Sequence, residues 1–205
     1  MSSRARSLIA ALLVLAACAP SASSPLPSAV SPSASPSGES TAAPEATPTD
    51  SDALPSGAED FVCNQAFDGE GNIDIAHLAD VRVGTHPGFD RIVFEFVEEG
   101  TPAYRLEPAS PPFVEDPSGQ PMTVNGSEFF LIALHGGTKV AGDGSLAYTG
   151  PTEFEPDFPQ LVHLVERGDF EAVSSWYIGM ADSPDGCFRA FQLSEPSRIV
   201  IDIEH

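Results

Sequence analysis

The sequence predicts an all-β protein, a β-sandwich preceded by a signal peptide and a disordered linker. Three observations predict it: apolar and polar residues alternate with a period of two, turn-forming pairs separate those runs, and every aromatic residue lies at Phe61 or later. A period of two puts neighbouring side chains on opposite faces of a strand, and frequent turns let short strands stack as two sheets. The boundaries that follow are a leader over 1–17, a tether over 18–57 and a folded domain over 58–205.

Arg4 and Arg6 precede an apolar run from Leu8 to Ala17. The run is too short to cross a bilayer as a helix and has the form of a secretory leader. It closes on Leu15-Ala16-Ala17-Cys18, which resembles the lipobox of bacterial lipoproteins. That resemblance implies a diacylglyceryl or palmitate-type anchor on Cys18 and cleavage that leaves Cys18 as the new N-terminus. Cutting by an ordinary signal peptidase is the alternative. Two acyl chains hold a protein stably on a membrane, each buried methylene contributing about 0.8 kcal/mol.

From Ala19 to Gly57 the chain is Ser, Pro, Ala and Thr with a few acids, eight prolines and no aromatic residue. Such a segment buries too little apolar surface to offset its conformational entropy. As a tether it would reach roughly 35 Å as a coil and roughly 115 Å as polyproline II.

The net charge is −21, from 30 acidic and 9 basic residues, and losing the leader removes two of those bases. With no basic patch to neutralise phosphates, nucleic acid is excluded as a partner, and anionic surfaces repel the chain. Lipid, rather than charge, must hold it at a membrane. Once Cys18 is assigned to lipid, Cys63 and Cys187 remain. A disulfide between them is the default outside the cytoplasm, worth about 4 to 5 kcal/mol for a loop this long by the chain-entropy argument. Two free thiols are the alternative.

Within the domain, Ile92, Phe94 and Phe96 alternate with Arg91, Val93 and Glu95, and Ile199, Ile201 and Ile203 alternate with Arg198, Val200 and Asp202. One face of each strand belongs to a core. Phe129 to Leu134 is continuously apolar, as in a central strand covered on both faces. Asn125-Gly126 predicts a tight hairpin, while Asp116-Pro117-Ser118-Gly119 and Asp182 to Gly186 predict turns. Gly136 to Pro159 reads as a long surface loop, and a weak helical period covers Asp74 to Leu78. Eight or nine strands result.

Two stretches resemble the AMIN-like domains of actinobacterial lipoproteins and, more distantly, the AMIN domain that precedes cell-wall amidases. They are Val81 to Phe96 with Tyr104-Arg105, and Phe188 to Leu193 followed by Pro196 to Ile203. The resemblance spans about 76 to 205. It implies a β-sandwich without enzymatic activity or cofactor, and peptidoglycan as the partner, or else an envelope protein. The expectation is a module with no amidase attached.

His86, Phe89 and Asp90 share one inter-strand loop, where an exposed ring and polar groups would suit a sugar; alternatively Phe89 fills the core edge and Asp90 pairs with an arginine. Asp68, Glu70, Asn72 and Asp74 alternate like half of a calcium loop, but Ile73 and Ala79 stand where an EF-hand needs Gly and Glu. His77, His86, His135, His163 and His205 have no metal-ligand spacing and read as surface or edge residues, His163 as partly buried. Arg198 and Asp202 share one face of the last strand, Arg91 and Glu95 repeat the pattern on theirs, and cross-strand ion pairs on a solvent face account for both sets. Trp176 reads as a core anchor. No nucleophile elbow, S-x-x-K or H-E-x-x-H occurs, so a small secreted hydrolase stands as the rival class to a binding module.

Overall fold

A computed structural model describes residues 60–182 and 186–205. The leader, Cys18, the tether and the centre of the Asp182 to Gly186 turn lie outside the described residues. The chain forms strands β1 (Val62–Cys63), β2 (Phe67–Gly69), β3 (Ala76–His86), β4 (Phe89–Phe96), β5 (Ala103–Pro108) and β6 (Glu128–His135). They are followed by β7 (Gly137–Thr138), β8 (Glu153–Phe154), β9 (Leu161–Phe170), β10 (Val173–Met180), β11 (Cys187–Leu193) and β12 (Arg198–Glu204). One sheet runs β1-β11-β12-β4-β3-β7 and the other β2-β5-β6-β10-β9-β8.

The all-β sandwich expected from the alternation is what forms. Ile92, Phe94 and Phe96 of β4 and Ile199, Ile201 and Ile203 of β12 enter one core with Phe130, Ile132 and Leu134 of β6. Trp176 anchors that core: it is fully buried, meets the Phe94 ring edge-on at 5.7 Å and donates its indole N–H to Ser174 Oγ at 3.0 Å. Burying a side chain such as Phe94 contributes roughly 1.5 to 3 kcal/mol.

β6 sits between β5 and β10, as its unbroken apolar run requires. Its second face, with Phe129 and Leu131, packs under Phe113 and Val124 of the long β5–β6 connection, together with Val165 and Tyr177. That connection explains a departure from expectation at Asn125-Gly126. The pair does not close a two-residue hairpin. Asn125 donates its N–H to His163 Nδ1 at 3.0 Å and its side-chain amide to Glu155 at 2.7 Å, and Ser127 N–H bonds Met180 O at 2.8 Å. The turn propensity is overridden by docking of the loop across the sheet.

Other departures have similar causes. Asp74 to Leu78 is not helical: Ala76 opens β3, and Ala76 and Leu78 point into the core. The Gly136 to Pro159 loop carries two short strands, β7 and β8, that extend the two sheet edges. His163, expected to be partly buried, is buried almost completely at 1% exposed, accepting from Asn125 and contacting Glu153 through Nε2 at 3.1 Å. The Asp116 to Gly119 turn forms, with Gly119 N–H bonding Glu115 O at 2.9 Å.

The outer face of β4 and β12 is also not a simple solvent face. Val93, Val200 and Phe191 form a small cluster there. Arg91 bonds Asp202 through two nitrogens at 2.7 and 3.0 Å, and Arg189 of β11 joins the same carboxylate at 2.9 Å. Asp202 is fully buried. The pairing is cross-strand, as expected, with Asp202 opposite Arg91 and Arg198 opposite Glu95 in the register, but the first pair is buried rather than on a solvent face; Glu95 also binds Arg82 at 2.9 Å.

Candidate functional site

Phe89 and Asp90 open β4, and strand alternation sends neighbouring side chains to opposite faces. His86 and Phe89 flank the Pro87-Gly88 turn, where Gly88 takes a φ of +90° that suits glycine. Their rings stack at 4.8 Å and 16° on the outer face. The Arg91 and Arg189 guanidinium groups lie 4.9 and 5.3 Å from the Phe89 ring centre. Asp90 instead points inward and is fully buried. Its Oδ2 accepts the N–H groups of Gln160 and Leu161 at 2.7 and 2.8 Å, joining β4 to the start of β9 in the other sheet. Its other oxygen lies 3.4 Å from His205 Nε2. The structure therefore brings His86 and Phe89 together and separates Asp90 from them. Phe89 is half-buried on the outer face rather than in the core, and the arginine paired with a carboxylate here is Arg91, on Asp202.

The four oxygen-bearing residues of the acidic run disperse. Asp68 binds Arg105 at 2.7 Å, Asn72 Oδ1 accepts Thr101 N–H at 2.7 Å, and Glu70 is exposed, its carbonyl accepting from Gln192. No group of three or more His, Cys, Asp or Glu among the described residues is placed to hold a metal ion. Cys63 and Cys187 are disulfide-bonded across β1 and β11.

At the far end of β4, roughly 23 Å from the His86–Phe89 pair at about 3.3 Å per strand residue, lies a cleft of about 540 Å³. Its walls are the β4–β5 loop from Val97 to Thr101 and the β11–β12 turn from Ser194 to Ser197, with Asn72 and Gln192 beside them. Hydrogen bonds fix these loops: Gly100 N–H bonds Ser197 Oγ at 2.7 Å, Asn72 N–H bonds Thr101 O at 3.0 Å, and Val97 N–H bonds His77 O at 2.9 Å. A side chain at Gly100 would collide with Ile73 and Asn72 at 2.7 and 2.8 Å, so this close approach needs glycine. Val97 is 64% exposed. Thr101 is 2% exposed and its Oγ1 has no hydrogen-bond partner.

Burial of Glu98 opposes its charge, but hydrogen bonds from the His77 ring and main-chain N–H outweigh that and hold its carboxyl below the usual range. Glu99 and Glu195 are exposed at the rim. The domain's cations are used internally. Arg82, Arg91, Arg105, Lys139, Arg167 and Arg189 all lie in ion pairs with carboxylates. Arg198 donates to Pro196 O at 3.2 Å.

A family model for the AMIN-like domain matches residues 76–205. The chain belongs to the AMIN-like domain family. No curated protein and no solved structure matches it. The match begins where β3 begins, so β1 and β2 precede it. They are nonetheless built into the AMIN-like sandwich, β1 by the disulfide to β11 and β2 by pairing with β5. The family assignment points to a cell-wall-related, extracytoplasmic role, and the disulfide fits an extracellular location. Within the AMIN-like domain, sequence reading passed over the cleft. Its walls come from segments that are distant in the chain, so no local pattern marks them.

Proposed function

We propose that the chain is a lipid-anchored extracytoplasmic protein whose AMIN-like domain binds peptidoglycan without catalysing a reaction. Anchoring rests on the lipobox resemblance at Cys18, and 18–57 would carry the domain away from the membrane towards the wall. The observation that carries the binding reading is the cleft between Val97–Thr101 and Ser194–Ser197. It is preorganised by hydrogen bonds and lined by apolar and polar groups. His77, bonded to Glu98, does not line it, which leaves Ser194 and Ser197 without a wall histidine to act as base. That favours a binding module over the hydrolase. The half-buried His86–Phe89 stack is the second candidate surface, because a sugar ring could reach it from solvent.

Fractionation and pelleting test this. The wild-type chain should partition with membranes and Cys18→Ser should become soluble. The soluble protein should sediment with purified peptidoglycan sacculi and leave the sacculi undigested. Unchanged membrane partitioning of Cys18→Ser would sink the anchor, and protein remaining in the supernatant would sink wall binding.

A further inference from the structure

The Cys63–Cys187 bond fastens an element on which the core does not depend. The buried core is built from Ala76 onward, whereas Val62, Phe67 and Ile73 are only partly buried against it. β1 adds two residue pairs to the sheet, Val62 with Phe188 and Cys63 with Cys187, while β11 is paired to β12 over six. A two-residue edge strand has little pairing of its own, so the covalent bond is what keeps β1 in place. The two sulfurs are also unequally placed. Cys63 is exposed, whereas Cys187 is 9% exposed in β11, so a thiolate arriving from solvent meets Cys63 first. Exposed disulfides are the ones that exchange readily.

Opening the bond changes what the surface presents. Phe61, just before β1, holds its ring 4.6 Å from the Arg189 guanidinium carbon. Arg189 shares the single Asp202 carboxylate with Arg91. When β1 leaves, the ring leaves with it and uncovers one guanidinium of a pair that outnumbers its carboxylate.

We propose that Cys63 is the point of attack for a partner dithiol oxidoreductase, and that reduction of Cys63–Cys187 releases β1 while the sandwich stays folded. A thiolate of the partner attacks Cys63 Sγ, forming a mixed disulfide and breaking the Cys63–Cys187 bond. Cys187 leaves as a thiolate and takes up a proton. The partner's second thiolate then attacks its own sulfur in the mixed disulfide and expels the Cys63 thiolate, which is protonated in turn. Two electrons and two protons pass to the chain, and the partner dithiol becomes a disulfide.

The test uses the full chain with Cys18→Ser, so that only the Cys63–Cys187 pair can react. Mixed with a thioredoxin-type dithiol protein whose second cysteine is replaced by serine, it should form a trapped adduct that peptide mass spectrometry assigns to Cys63. After complete reduction, amide exchange at Val62 and Cys63 should quicken by roughly tenfold or more, while Ile92 to Phe96 and Ile199 to Ile203 keep their protection. The near-ultraviolet dichroism of the buried Trp176 should persist. Cys63→Ser should show the same exchange pattern without any reductant. An adduct on Cys187, or none on either cysteine, overturns the point of attack. Unchanged exchange at β1 on reduction overturns the release, and loss of the Trp176 signal shows that the bond holds the whole fold and is no latch.

Discussion

Two aspartates determine how the surface of this protein should be read. Asp90 caps two backbone N–H groups of the opposite sheet, and Asp202 takes hydrogen bonds from both Arg91 and Arg189. Both are fully buried, so each works as a clasp rather than as a group offered to a ligand. Removing one partner of a buried ion pair leaves the other charge without compensation, typically at about 3 to 5 kcal/mol. Asp202→Ala, which leaves two arginines uncompensated, should therefore lower stability by that amount in urea denaturation, whereas loss below about 1 kcal/mol would show that the arginines rehydrate at no cost. The sequence groups Asp90 with His86 and Phe89 in one short loop, whereas its place in β4 sends Asp90 and its neighbour Arg91 to opposite faces. What alternation could not convey was how far the outer face is covered. Phe89 and Phe191 lie beside Arg91, and a ring approaching from another strand has no signature in the local sequence.

At the scale of elements, the long strands were legible and the connections were not. β4, β6 and β12 follow from their patterns because burial of one or both faces dictates the residues directly. The β5–β6 connection misled because Asn125-Gly126 has hairpin chemistry but is used for close approach. Gly126 has a φ of +139°, and a Cβ there would meet Met180 O and N at 2.8 and 2.9 Å. Gly126→Ala should thus destabilise by more than about 1 kcal/mol. It should cost more than Gly88→Ala, because the space beside Gly88 is open. Equal losses in chemical denaturation would mean that backbone conformation alone matters and that the loop is not docked tightly on β10. The short strands β1, β7 and β8 escaped the sequence because two residues show no period. Pairing with a neighbour's edge, and for β1 the Cys63–Cys187 bond, defines them instead.

For the molecule as a whole, the acidic composition has a consequence that only the fold makes visible. Strand pairing consumes the domain's cations in internal ion pairs, so the surplus of carboxylates is what the surface presents, and the cleft at the Val97–Thr101 end concentrates three of them. The sandwich thereby has two distinct ends: one closed by Asp90, His205 and the His86–Phe89 stack, the other open between two loops. The sequence predicted the fold class and the family but directed attention to the closed end, where a ring and polar residues sit together in one short loop. The cleft is assembled from segments near residues 72, 100 and 195, and contacts at such separations leave no local pattern. The most direct test is to record backbone amide NMR shifts on titrating the full chain with soluble muropeptides. The largest shifts should fall on Val97 to Thr101 and on Ser194, Glu195 and Ser197 while His86 and Phe89 stay still; shifts confined to His86 and Phe89, or none at saturating muropeptide, would contradict binding at the cleft.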